Sequence, residues 1–373
     1  MRKKFLITLT TVFCFHLLSA QDESKVTIVM RDTVELDKDF TNLILPNNNI
    51  GISGADGCIS IDLGKGKSLF LWGDSFLGKI EDNQRKEPSK FILGNTATLF
   101  QSPQSQYLYN GSFDNPKSFI EVDSTESDTY WYWPGDGIVK KNNILLFMAK
   151  YRKNYAEKGP FAFIYAGCDY LVLDKENFTI ISRQTFIAED NPIHYGHAVV
   201  QDNKYLYIYG SKADNKNFKS ELHVMRVQVD SNNLLKAATY WDGRSWNKDP
   251  KYSRKIEGIK SMVSEQFSIR IVNGKVILFN QDRFQNPGTI YSYIADRLEG
   301  PFRKERLIYQ IDEPDLESDS LFTYNAMFHP QIIRKNKILA SYNVNTYSES
   351  LWWKKASVYR PRFLWVPISY FQD

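Results

Sequence analysis

Two aspartates lie near one another along the chain in settings that suit acid–base work. Asp56 is framed by Gly54 and Gly57, and Asp74 stands in Leu71-Trp72-Gly73-Asp74-Ser75-Phe76. Between them the apolar runs Ile59 to Leu63 and Ser68 to Trp72 flank Gly64-Lys65-Gly66-Lys67, which reads as a turn. If those runs pair, both carboxyls lie at neighbouring strand ends, and adjacent strands sit about 4.8 Å apart. That brings the carboxyls toward the roughly 5 to 9.5 Å separation at which one acid protonates a glycosidic oxygen while the other carboxylate attacks or activates water. The bland alternative for Asp74 is a cap on the turn before Phe76.

Further candidates surround this pair. Asp136 sits in Tyr130-Trp-Tyr-Trp-Pro-Gly-Asp-Gly, where Trp133 and a carboxylate would suit a sugar: rings stack on its apolar faces and acids grip its hydroxyls. Trp72 precedes Asp74 and joins the candidate substrate contacts. His194 and His197 have H-x-x-H spacing, a weak metal signal without a third ligand, so no metal-ligating set is assigned and His194 is read as a loop histidine. His197 and Glu265 read as polar groups facing substrate, and His329, which precedes Pro330, reads either as a substrate contact or as a hydrogen-bonded packing histidine, with Asn343, Asn345 and Arg270 as further hydrogen-bond donors.

The elements that position these groups are strands. Short apolar runs bounded by Gly, Asn, Asp and Lys recur throughout, long amphipathic stretches are missing, and aromatics reach 14 %. A coarser repeat overlies them: a polar residue, an apolar strand, an Asn/Gly/Lys turn and a second apolar strand. Its markers are Asp56, Asp136, His197, Glu265 and His329, spaced by 80, 61, 68 and 64 residues. That suits four-stranded blades with decorations, so the expected fold is an all-β five-bladed propeller over residues 21–373 as one domain. Val26 to Leu45 is expected to supply a closing strand to the last blade. In a propeller the first strand of each blade lines the channel, so the five markers should converge at its mouth.

Residues 1–20 stand apart. Arg2, Lys3 and Lys4 precede the apolar run Phe5 to Leu18, and Ser19-Ala20-Gln21 supplies a small-residue cleavage site, the pattern of a secretory leader. Without it, 44 basic residues face 43 acidic ones, which argues against a nucleic-acid partner. No later apolar run is long enough to span a membrane. Cys58 and Cys168 each lie in an apolar run and read as buried thiols rather than a disulfide. HExxH, Walker and GxGxxG patterns are absent, which excludes the zincin, P-loop and Rossmann classes.

Gly54-Ala-Asp-Gly, Leu71-Trp-Gly-Asp-Ser, the Gly300-Pro-Phe turn, and Tyr324-Asn-Ala-Met-Phe-His-Pro followed by Ser341-Tyr-Asn-Val-Asn carry a resemblance. The chain, over about residues 50–366, resembles the secreted five-bladed propellers of domain-of-unknown-function families 4185 and 5005. The first of these includes the endo-D-arabinanases of glycoside hydrolase family 183. The resemblance implies carbohydrate chemistry, points to Asp56 and Asp74 as the acidic pair, and adds Asp136 and Glu265 as candidates. The expectation is a secreted or periplasmic monomer that hydrolyses a poly- or oligosaccharide without a required cofactor, a structural cation in the channel being admissible. A non-catalytic glycan-binding or partner-docking propeller is the rival reading.

Overall fold

The computed structural model describes residues 33–45, 51–159, 161–214, 219–229, 234–282, 287–313 and 321–372. The leader read at residues 1–20 lies outside them. They form a five-bladed β-propeller of antiparallel blades. Blade 1 runs outward from Gly51–Gly64 through Lys67–Gly78 and Thr96–Gln101 to Gln104–Leu108. Blade 2 comprises Tyr130–Lys140, Asn143–Lys153, Phe163–Asp174 and Ile180–Ile187. Blade 3 holds His194–Gln201, Tyr205–Asp214, Lys219–Gln228, Thr239–Trp241 and Trp246–Asn247, and blade 4 holds Ser268–Val272, Lys275–Gln281, Thr289–Ala295 and Arg303–Gln310.

Blade 5 draws on both ends of the described chain. Leu321–Arg334, Lys337–Thr346 and Arg362–Pro367 take Glu35–Asp37 as their outermost strand, with Leu36 opposite Leu364. This is the expected closing strand. It ties the propeller shut without a disulfide, and Cys58 and Cys168 are both free and buried.

Alternating apolar residues give each blade two sticky faces, and these bury against the neighbouring blades. Among the described residues five apolar clusters result, one at each blade interface, with a sixth, smaller one of Ala149, Tyr151 and Tyr165 within blade 2. Ile59, Ile61 and Leu71 of blade 1 meet Ile144 and Leu146 of blade 2, for example, and Phe70 and Trp72 of blade 1 meet Phe363 and Trp365 of blade 5. Phe279 of blade 4 stacks on Phe328 of blade 5 with ring centroids 5.2 Å apart. Burying each such side chain contributes roughly 1.5–3 kcal/mol, so the ring is held by packing between blades. No helix among the described residues is long and apolar enough to cross a membrane.

Four of the five inner strands share an irregularity that matters for the site, while that of blade 4 pairs without a slip. Their ladders slip at Asp56 (between Ala55 and Gly57), at Gly135–Asp136, at Gly196–His197 and at Asn325–Ala326. Each slip is a β-bulge, which adds an unpaired residue and re-aims a side chain off the regular alternation. Three of the repeat markers, Asp56, Asp136 and His197, therefore sit at bulges. The fifth marker is itself paired, opposite Leu339: blade 5 slips at Asn325–Ala326, upstream of His329, and again between His329 and Ile333.

Candidate active site

Asp56 and Asp74 are brought together by the blade 1 hairpin. Ala55 pairs with Ser75 and Gly57 with Trp72, which leaves Asp56 facing Gly73 and Asp74 across the bulge. Gly73 makes this possible, because a Cβ there would collide with Asp56 Oδ1. Both aspartates keep some surface open, so their carboxyls lie at the floor of an opening rather than sealed in a core.

Each carboxylate is held by neutral donors. Tyr324 Oη donates to Asp56 Oδ2 over 2.6 Å, and Asn345 Nδ2 donates to Tyr324 Oη over 3.2 Å. The Tyr359 phenol also lies beside Asp56 and favours its charged form. Asp74 Oδ1 accepts from the Gly94 backbone N–H and from Trp133 Nε1, both over 2.7 Å. Burial pushes the Asp56 carboxyl up to about 6, although the two phenols favour its charged form. Burial pushes Asp74 further, to about 7, and the nearby Asp56 charge adds to the rise. Among the described residues no ion pair is formed by either carboxylate.

Aromatic rings flank the pair on both sides. Trp133 packs on Tyr151 and Phe163, with centroids 4.3 and 4.6 Å apart. Across the opening Phe322 packs on Tyr324 and Tyr347 at 5.4 and 4.6 Å, and Phe161 from blade 2 reaches Tyr347 at 6.0 Å. Phe161 and Tyr347 are exposed. Tyr324, Tyr359, Phe322 and Tyr347 escape the sequence reading. Tyr324 and Phe322 alternate along one strand into this opening, a signal visible only once the blade 5 strand is placed.

The other candidates lie elsewhere. Asp136 is buried and bound bidentately by Arg270, whose two terminal nitrogens donate over 2.6 and 2.9 Å, and it also accepts from the Val199 N–H over 2.8 Å. These two residues tie blades 2, 3 and 4 together across the channel instead of facing the acid pair. Trp72 is fully buried, stacked on Phe70, and donates its indole N–H to Thr98. Asn343 is buried and donates to the Gly57 carbonyl over 3.4 Å. His329 is sealed between Ser60 (2.7 Å) and Ser341 (3.0 Å), and burial pushes it down to about 3, so it is neutral. It is fully buried in the packing between blades 5 and 1, with the Phe70 and Phe363 rings at 5.3 and 6.1 Å.

Glu265 and His197 form a second cluster, joined by His194. The imidazole of His194 hydrogen-bonds Glu265 through Nδ1, and His197 Nε2 lies 3.4 Å from the same oxygen. Burial would raise the Glu265 carboxyl, but the hydrogen bonds and charges of the two histidines outweigh it and hold Glu265 well below the usual range. A link between the clusters runs through Gln266. Its Nε2 donates to the Pro134 carbonyl over 3.0 Å, and Asn325 Nδ2 donates to its Oε1 over 2.5 Å.

The site is therefore a partly open acid pair on a five-bladed propeller, with Trp133 on one side and Tyr324 on the other. The chain belongs to the family described as a domain of unknown function (DUF5005), whose profile matches residues 37–368. A comparison with curated proteins found no match. Among solved structures it is similar to a protein of Bacteroides ovatus ATCC 8483 provisionally described as a hydrolase, with TM-score 0.72, 17 % identity, and 89 % of this chain and 90 % of that one covered. It is also similar to CoXyl43, a GH43 β-xylosidase/α-arabinofuranosidase from a compost microbial metagenome, with TM-score 0.50, 12 % identity, and 85 % and 92 % covered. At these identities the likeness is one of fold.

Proposed function

We propose that this protein is a glycoside hydrolase that cleaves a poly- or oligosaccharide with Asp56 and Asp74. The observation that carries the reading is the pairing of two shielded carboxyls, raised to about 6 and about 7, in an aromatic-walled opening. Asp74, the later of the two to ionise, is the acid that protonates the leaving oxygen. Asp56, ionised first and steadied by two phenols, attacks the anomeric carbon or takes a proton from the attacking water. Either route forms an oxocarbenium-like transition state beside a carboxylate, and Trp133 and the Phe322 side supply flat apolar surface for the sugar faces.

The fold is shared with CoXyl43, solved with xylotriose, which supports a carbohydrate substrate. The resemblance to family 183 propellers favours an arabinan-type chain, and the leader pattern of residues 1–20 favours action outside the cytoplasm. The test is purified protein incubated with a polysaccharide panel that includes arabinans, read by product chromatography. The expected result is sugar release by the wild type and none by Asp56→Asn. Saturable glycan binding without products from the wild type would replace this reading with that of a glycan-binding propeller.

A further inference from the structure

Outside the acid pair, the inner strand of blade 3 builds a different constellation. His194 and His197 are three residues apart, which in a regular strand would point them to opposite faces. The bulge at Gly196–His197 prevents that. Gly196 takes φ +108°, a conformation that favours glycine, and a Cβ there would press on Phe147 and the Cys168 sulfur at 3.0 Å. Both imidazoles consequently turn toward Glu265, and one ligand atom from each of the three residues lies within 4.8 Å of the others.

The cluster is shaped more like a ligand set than a packing contact. His197 is 3 % exposed, and among the described residues its Nδ1 has no partner while its Nε2 meets only the Glu265 carboxylate, at 3.4 Å, outside good hydrogen-bond geometry. A buried ring nitrogen left unsatisfied costs about 1–3 kcal/mol, so the site holds an unmet demand beside a carboxylate. Tyr165 stacks on the His194 ring at 3.7 Å and fixes its orientation. Ser211 Oγ donates to Glu265 Oε2 over 3.3 Å, which steadies the second oxygen. The side chains of His194 and Glu265 are 28 % and 30 % exposed, which leaves an entry path from solvent.

We propose that His194, His197 and Glu265 bind one first-row divalent transition cation of the Zn2+ type. Two imidazoles and one carboxylate match that class, whereas Ca2+ and Mg2+ demand oxygen-rich shells. Ligand–metal distances of about 2.0–2.2 Å require the three ligand atoms to stand a little over 3 Å apart, a small rearrangement from the present cluster. The cation takes the position of the proton shared by His194 and Glu265, and that proton leaves to solvent. A fourth position stays open toward the entry path. The inference does not depend on the acid pair or on glycan cleavage.

The experiment is a titration of EDTA-treated, desalted protein with CoCl2 alone, followed by its visible d–d absorption, then displacement with ZnCl2. One equivalent should saturate the signal, Zn2+ should bleach it, and Zn2+ should raise the Tm. His197→Gln and Glu265→Gln should each weaken binding by at least about 100-fold, since even an outer partner of a metal ligand is worth 10- to 100-fold. His223→Gln, at a buried blade 3 histidine that hydrogen-bonds Ser253 instead of Glu265, and Asp56→Asn should bind as the wild type does. The absence of a saturable one-to-one signal in the wild type, or undiminished binding in both ligand variants, overturns the proposal. The wild-type titration stands even if a variant fails to fold.

Discussion

Two acidic sites share the axis of this propeller and are treated in opposite ways. Asp136 is the more deeply buried, and its charge is met in full by the Arg270 fork and a backbone N–H. Asp56 and Asp74 have only neutral donors, two phenols on one and an indole and an amide on the other. A buried charge without a counter-ion is expensive, and the pair meets that cost by holding protons to higher pH. Compensated charge makes a girder; uncompensated charge makes a group that can give and take a proton near neutrality.

Substitutions should separate the two sites. Asp56→Asn is expected to lower kcat by about 10³-fold or more, with little loss of Tm, as measured by product release and thermal melting. Arg270→Met is expected to do the reverse. It strands the Asp136 carboxylate and should cost about 3–5 kcal/mol in denaturant unfolding, and adding Asp136→Asn should recover much of that loss. Should Arg270→Met prove as stable as the wild type, the girder reading fails.

The pH dependence of stability sharpens the contrast further. The folded values of Asp56 and Asp74 lie above the unfolded carboxylate range, so the folded state binds protons more tightly than the unfolded one. Their contribution to stability is full below about pH 4 and is lost as pH rises through about 6 and about 7. Asp74→Asn should therefore gain up to about 4 kcal/mol on the wild type at pH 8 relative to pH 4, by urea melts at both pH values. The smallest expected effect is that of Trp133→Phe. It removes a donor that lowers Asp74, so the basic limb of the pH–rate profile should move upward by less than about one pH unit.

The blade architecture was legible because hairpin turns and apolar runs recur with a period that few folds share, and the closing strand near Glu35 followed from the same count. The juxtaposition of Asp56 and Asp74 was legible for a local reason, a short turn between two strand-forming runs. What sequence could not show was register. His329 shares the repeat's pattern but sits between two slips of the blade 5 ladder, and no residue type marks where a ladder slips, so it reads as a mouth residue while lying buried between blades 5 and 1. The Asp136–Arg270 pair spans blades 2 and 4, and nothing local in either string announces the partner. Trp72 and Asn343 look like substrate contacts by neighbourhood, but strand alternation turns both into the core. Glu265 as a third partner for His194 and His197 was hidden by the same bulge chemistry, since H-x-x-H on a regular strand divides between faces.

The most direct measurement is a carbonyl-¹³C NMR titration of the aspartate carboxyls in the folded protein, assigned with Asp56→Asn and Asp74→Asn. The account predicts two coupled titrations near pH 6 and pH 7, with the Asp74 value falling when Asp56 is replaced. Both carboxyls titrating near pH 4, each indifferent to the loss of the other, would contradict it.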